Sequence, residues 1–107
     1  MKFAPVSIFV LLAPGIAFAQ PLPGDAVAGK VLAMRSCAGC HAVAQEQNQP
    51  ASDGVPAFLT LARDPAVSER HLRTHLQTPH ARMPSVPLSR REIEDVISYI
   101  LSMRLAN

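Results

Sequence analysis

The only two cysteines in this chain, Cys37 and Cys40, lie three positions apart and are followed directly by His41. This spacing of one helical turn lets each thiol form a thioether with a vinyl group on the same edge of a haem, and the next residue can bring an imidazole to the iron. Ala38 and Gly39 are small, so the porphyrin edge can approach the backbone closely. The motif predicts one covalent c-type haem, with Cys37 and Cys40 as its attachment points and His41 as the proximal iron ligand.

Three other kinds of site use a Cys-x-x-Cys spacing. A disulfide would suit an oxidising compartment, a thioredoxin-type redox pair requires a βαβ pattern that the sequence lacks, and a zinc site requires a second Cys pair. Haem is favoured over all three by the adjacent His41. Two features described below, an export signal and a scarcity of large core side chains, favour it as well.

The sixth iron ligand has six candidates: Met34, Met83, Met103, His71, His75 and His80. Met34 is on the helix that leads into the motif and cannot reach the opposite face of the haem, while Met103 falls in the last helix and suits the core or the surface. Pro84 restricts Met83 to an extended backbone, which suits a loop that presents a thioether. Met83 is the predicted distal ligand, and His80, its main rival, is expected to hold the Met83 loop by hydrogen bonding.

His71 and His75 are four residues apart on a predicted helix, a spacing that can also bind a metal ion. The favoured interpretation is plainer, because Leu72 and Leu76 then face the interior and leave the two histidines partly exposed beside them.

Mean hydropathy over the 107 residues is +0.17, and the apolar excess lies in residues 1–19. Lys2 precedes an apolar stretch, and Ala17 and Ala19 place small residues at the −3 and −1 positions of a cleavage site. An uncleaved membrane anchor is the alternative, but the stretch falls short of the ~20 residues of a span and is broken by a Pro-Gly pair. We expect a signal peptide cleaved after Ala19, and export of residues 20–107 to a bacterial periplasm.

The exported part of the chain is poor in aromatic residues, with only Phe58 and Tyr99 and no Trp. A single domain of this size has difficulty burying enough apolar surface and usually needs a disulfide, a metal or a cofactor.

The length excludes Rossmann and TIM architectures. A net charge of +2 without a basic cluster excludes a nucleic-acid-binding face.

All the regular structure that the sequence predicts is helical. Asp25 is the N-cap of a first helix over 26–36, and Val27, Val31 and Met34 recur at helical spacing and predict its apolar face. A short helix over 68–77 follows a compact segment at 56–59. Three prolines between positions 79 and 87 then exclude helix there.

The last helix has the clearest signals in the chain. Ser89 and Glu92 form a capping box at its start. One unbroken apolar face follows, made of Ile93, Val96, Ile97, Ile100 and Leu101.

Residues 24–104 resemble a small class I cytochrome c of the short bacterial periplasmic type. The matching parts are Gly29, the motif at 37–41, the Met83-Pro84 pair and the closing helix with Tyr99. The resemblance implies a small all-α cytochrome c fold of three to five helices around one covalent haem. It also implies that Gly29 packs against the last helix near Tyr99. Ala33 departs from the family pattern, which usually has an aromatic residue there, so that contact is weaker or is filled by Leu32.

The resemblance further implies that the carbonyl of Pro56 accepts the Nδ1 hydrogen of His41, which fixes the tautomer of that ring. The expected function is that of a monomeric periplasmic electron carrier, not an enzyme, with iron held by His41 and Met83. Its partners would be a donor dehydrogenase and an acceptor oxidase or reductase, which meet the haem edge near Cys37 and Cys40. No nucleic acid and no stable membrane insertion after signal cleavage are expected.

Two alternatives stay open on the sequence alone. The chain could be the haem c subunit of a periplasmic dehydrogenase or oxidase complex. It could instead be a haem sensor or peroxidase in which Met83 does not bind the iron.

Overall fold

The computed structural model describes residues 1, 13–16, 21–47, 54–78 and 83–105. It contains four helices, α1 (Ala26–Ser36), α2 (Phe58–Arg63), α3 (Glu69–Gln77) and α4 (Arg90–Ser102). Over these residues there is no β-strand beyond an isolated bridge at Met83. The predicted all-α fold is confirmed, and so are the bounds of the first helix.

Side chains cap the starts of three helices, and the caps at Asp25 and Ser89 are the two that the sequence predicts. The Asp25 carboxylate accepts hydrogen bonds from the second and third amides of α1, and Ser68 accepts one from the amide of His71 at the start of α3. Ser89 and Glu92 form both bonds of a capping box at the start of α4. Each cap satisfies amides that have no partner within the helix.

The core is built on α4, which contacts all three other helices. Its five apolar positions, as predicted, are buried. Leu72 of α3 and Ala62 of α2 reach the same cluster, and Val43 is fully buried beside it. Within the described part of the chain, no helix has the length and apolar character to cross a bilayer.

The crossing of α1 over α4 depends on Gly29. A Cβ atom at this position would lie 1.9 Å from the carbonyl oxygen of Asp95 and 2.9 Å from the Cβ of Tyr99. Ala33, one turn further along α1, is 0% exposed. Two small residues on one face of α1 therefore let its backbone lie almost directly on α4.

The prediction that the apolar face of α1 packs in the core is wrong. Val27, Val31 and Met34 are 75%, 55% and 53% exposed, and the face that packs on α4 carries Gly29 and Ala33. The error has a physical cause, because close approach of two helix backbones requires small side chains. A search for large apolar residues therefore selects the opposite side of the helix.

The chain that leads into α1 is fastened to α4 by buried polar groups. The amide of Gly24 donates to the Ser98 hydroxyl at 3.1 Å, and the amide of Asp25 donates to the Asp95 carboxylate at 2.8 Å. Asp95 and Ser98 are both buried, and a buried polar group is tolerated only when it is hydrogen-bonded. These bonds fix where α1 begins relative to α4.

An arginine on α3 fastens that helix to α4. The guanidinium of Arg73 donates two hydrogen bonds to the Glu94 carboxylate, at 2.7 Å and 2.8 Å. It also donates one to Glu69. Hydrogen bonding to Arg73 lowers the pKa of Glu94. The bidentate geometry restrains the rotation of α3 about its own axis.

Replacing Gly29 with Ala is expected to destabilise the haem-loaded protein by a net ~2 kcal/mol. Overpacking costs up to ~3 kcal/mol, and the better helix propensity of Ala returns ~1 kcal/mol. Denaturant unfolding measures the change. Lys30→Ala, at the exposed neighbouring position, is the matched control and should change stability by less than ~0.5 kcal/mol. Equal stability of the two variants would contradict the close crossing.

Candidate functional site

The Cys-x-x-Cys-His motif continues from the C-terminus of α1 as a hydrogen-bonded turn. The amide of Cys37 donates to the carbonyl of Ala33 at 2.9 Å. The amides of Cys40 and His41 then both donate to the carbonyl of Cys37, at 3.1 Å and 2.9 Å. The helical path puts the two cysteines about one turn apart, and the position of the turn follows from the packing of α1 on α4.

The two cysteines are free thiols in different surroundings, with Cys37 buried and Cys40 exposed. Burial raises the pKa of the Cys37 thiol. A redox-active or zinc-binding Cys needs the opposite shift, because the thiolate is the reactive and ligating form. The described residues also hold no group of three or more His, Cys, Asp or Glu side chains that could bind a metal ion. This environment disfavours the thioredoxin and zinc alternatives.

The His41 ring is oriented by a backbone carbonyl. Its Nδ1 donates to the carbonyl oxygen of Pro56 at 2.7 Å, and because a carbonyl can only accept, Nδ1 carries the proton. Nε2, the other ring nitrogen, is then the one that can bind a metal.

The ring of Phe58 stands beside this histidine and contacts the ring of Tyr99 in turn. The Phe58 ring centroid lies 5.4 Å from that of His41 and 6.3 Å from that of Tyr99. The amide of Phe58, at the start of α2, donates to the carbonyl of Ala42 at 2.9 Å. The first turn of α2 is therefore fastened to the residue that follows His41. This bond keeps the nearby Pro56 carbonyl within reach of the His41 ring.

Tyr99 connects α4 to the same segment. Its hydroxyl donates to the carbonyl of Val43 at 2.7 Å across 56 positions of sequence. Burial, with a smaller contribution from Glu46, raises the pKa of the Tyr99 phenol. The hydroxyl therefore stays protonated and can serve as a permanent donor near neutral pH.

The methionine candidates occupy three different environments. Met34 is 53% exposed on α1, and Met103 is 3% exposed in the core at the end of α4. Met83 is half-buried in the non-helical segment before α4. It lines a cavity of about 30 Å³ with Leu76, Val86 and Leu88, among others. Of the three, Met83 alone is neither on the helix of the motif nor in the core of α4. His80 lies outside the described residues.

The residues present fit a covalent haem. Two unpaired thiols stand one turn apart, and an imidazole beside them has one nitrogen fixed and the other available. A Cβ atom built on Gly39, between the two cysteines, would meet nothing within 4 Å, so there is room for a flat group along this edge. Phe58 and the half-buried Leu59 and Leu61 supply apolar side chains near it.

The chain belongs to the cytochrome c family, whose model matches residues 26–104. It is similar to cytochrome c-552 of Bradyrhizobium diazoefficiens, with 43% identity over 97 residues that cover 91% of this chain and 92% of that protein. No solved structure is a significant match. The chain is therefore a small monohaem class I cytochrome c that carries covalent haem c with its iron. It is an electron-transfer protein and not an enzyme, and it works with redox partners.

Two backbone acceptors at this site have no signal in the sequence. The carbonyls of Ala42 and Val43 receive the bonds that hold α2 and α4 to the motif. Any residue type has a carbonyl, so only the presence of a Tyr on the last helix indicated that a buried hydroxyl needed a partner.

Replacing Tyr99 with Phe is expected to destabilise the haem-loaded protein by about 1–3 kcal/mol, because the buried carbonyl of Val43 loses its donor. Denaturant unfolding measures the change. Ser102→Ala, which removes an exposed hydroxyl bonded within the same helix, is the matched control and should have a smaller effect. A Tyr99→Phe variant as stable as the wild type would show that the bond to Val43 does not anchor the motif.

Proposed function

We propose that this protein is a periplasmic one-electron carrier whose iron is bound by His41 on one side and Met83 on the other. The hydrogen bond from His41 to the Pro56 carbonyl is the observation that best supports this role. It holds the Nδ1 proton and orients the ring, so that Nε2 is the nitrogen that can bind iron.

Cys37 and Cys40 would hold the porphyrin by two thioethers. These two bonds would fix one edge of the porphyrin to the turn that follows α1.

The bound haem supplies reversible exchange of one electron between Fe(III) and Fe(II). The protein's own part is to hold the ligands still, because electron transfer is fastest when little has to move. Pro56 and Phe58 restrain His41 from the side of α2, and Tyr99 restrains the segment after it from the side of α4. A Met83 thioether would favour Fe(II) and raise the reduction potential relative to a second histidine.

Met83→Leu is expected to abolish the weak far-red band of Met–iron ligation in the oxidised protein and to lower the reduction potential. Absorption spectroscopy and redox titration measure the two effects. Met34→Leu and Met103→Leu remove the thioether at the exposed and core positions and should leave the band unchanged. If Met83→Leu kept the band and one of the two controls lost it, Met83 would be refuted as the ligand.

Ligation by Met83 also separates the carrier from the alternatives. A sensor or peroxidase needs an open sixth position, so the oxidised wild type would lack the far-red band and bind CO readily when reduced. A haem subunit of a dehydrogenase or oxidase would show the band but purify together with its enzyme.

Export to the periplasm is the second part of the proposal and is supported by the charged start, apolar stretch and small residues of segment 1–19. Intact mass spectrometry of the protein from the periplasmic fraction should give residues 20–107 plus one haem. A mass that retains residues 1–19 would refute cleavage after Ala19.

The exposed face of α1 suits contact with a redox partner. Val27, Val31 and Met34 follow one line along the helix, and the exposed Lys30 and Arg35 emerge on either side of it. This line ends beside the motif, where Cys40 is also exposed. We propose that it binds a redox protein through an apolar surface bordered by carboxylates, because cations flank the apolar line on both sides.

The assay measures oxidation of the reduced protein by membranes of the host at increasing protein concentration. Val31→Ser is expected to raise the concentration for half-maximal rate by up to about tenfold, because burying a Val is worth ~1.5 kcal/mol. The haem spectrum should not change. Leu105→Ser, at an apolar position 89% exposed away from α1, is the matched control. Equal effects of the two substitutions would refute a docking role for this face.

A further inference from the structure

Helix α3 carries a pair of histidines that the haem site does not use. His71 and His75 are four residues apart and both exposed, with ring centroids 6.0 Å apart and planes only 9° from parallel. Residues at this spacing lie one above the other on the same helix face. The structure thus presents two imidazoles side by side, which is how the His-x-x-x-His pairs of metal sites are arranged.

The helix beneath the pair is held in place. Leu72 is buried in the core, and Arg73 is bonded to Glu69 on its own helix and to Glu94 on α4. The two histidines therefore start from a fixed backbone. Rotation of both side chains, with exchange of the contact that His75 already makes, would bring the two imidazoles within the ~2.0–2.1 Å of a metal–nitrogen bond.

The surroundings of the pair leave room for an ion and its water ligands. The histidines line an open groove of about 470 Å³, together with the hydroxyl-bearing residues Ser68, Thr74 and Thr78. Arg70 lines the same groove and repels cations, so we expect modest affinity. With no cluster of three or more His, Cys, Asp or Glu in the described residues, water would fill the other coordination positions.

We propose that His71 and His75 form a binding site for one divalent transition-metal ion, separate from the haem. Imidazole nitrogens suit Cu²⁺, Ni²⁺ and Zn²⁺, and Cu²⁺ should bind most tightly of the three. Neither histidine is a proposed axial ligand, but His75 lines the same small cavity as Met83, so the far-red band of the haem is recorded beside every titration.

The test titrates the haem-loaded protein with Cu²⁺ and follows binding by calorimetry and by the Cu²⁺ electron paramagnetic resonance signal, which reports coordinated nitrogen. One ion per chain is expected. His71→Ala and His75→Ala should each weaken binding about tenfold or more, since even the loss of an outer-shell partner costs that much. Affinity should also fall as pH decreases, because protons compete for the imidazoles.

The matched control exchanges two neighbours through the double substitution Arg70→His and His71→Arg. Composition and charge stay the same, but the two imidazoles become five positions apart and leave the common helix face. This variant should bind Cu²⁺ as weakly as His71→Ala. Cu²⁺ should also raise the melting temperature of the wild type more than that of the exchanged variant, because only the wild type binds the ion across a folded turn of α3.

Tight binding by the exchanged variant would overturn the proposal, since the ion would then be held elsewhere on the chain. Undiminished binding after His75→Ala would do the same. The far-red band serves as the separate readout of the haem site, so failure of the metal site and failure of Met83 ligation can be told apart.

Discussion

The close crossing of α1 over α4 at Gly29 is the constraint on which the remaining geometry depends. The Asp95 carbonyl occupies the space that any side chain on Gly29 would need, so the two helices meet backbone to backbone. Cys37 directly follows α1, and Tyr99 lies on the face of α4 that Gly29 touches. The crossing therefore fixes both the start of the haem motif and the hydroxyl that holds its far end.

From this crossing, a short series of contacts leads to the histidine. Tyr99 holds the carbonyl of Val43, and Phe58 holds that of Ala42 while packing against the His41 ring. Pro56 fixes the proton of the same ring. Because each contact restrains a residue next to the previous one, the position of one imidazole depends on α1, α2 and α4 together.

The sequence was sufficient for the motif and for the N-caps Asp25 and Ser89, because capping residues and a Cys-x-x-Cys-His spacing act through neighbours within a few positions. It was misleading for the buried face of α1, where Val27 and Val31 appeared to be core residues. Helix contact there depends on the small size of Gly29 and Ala33, and a pattern of large apolar residues does not detect small ones. Backbone acceptors such as the Val43 carbonyl are equally invisible, because every residue type provides one.

The scarcity of aromatic residues gives the haem site two unlike sides. Phe58 and Tyr99 both serve the His41 side, where every restraint is a short-range contact to α2 or α4. The segment with Met83 has aliphatic neighbours such as Leu76 and Val86, and proline restricts its backbone. The two sides are therefore restrained by different means: ring contacts and hydrogen bonds from α2 and α4 around His41, and the fixed backbone angles of neighbouring prolines around Met83.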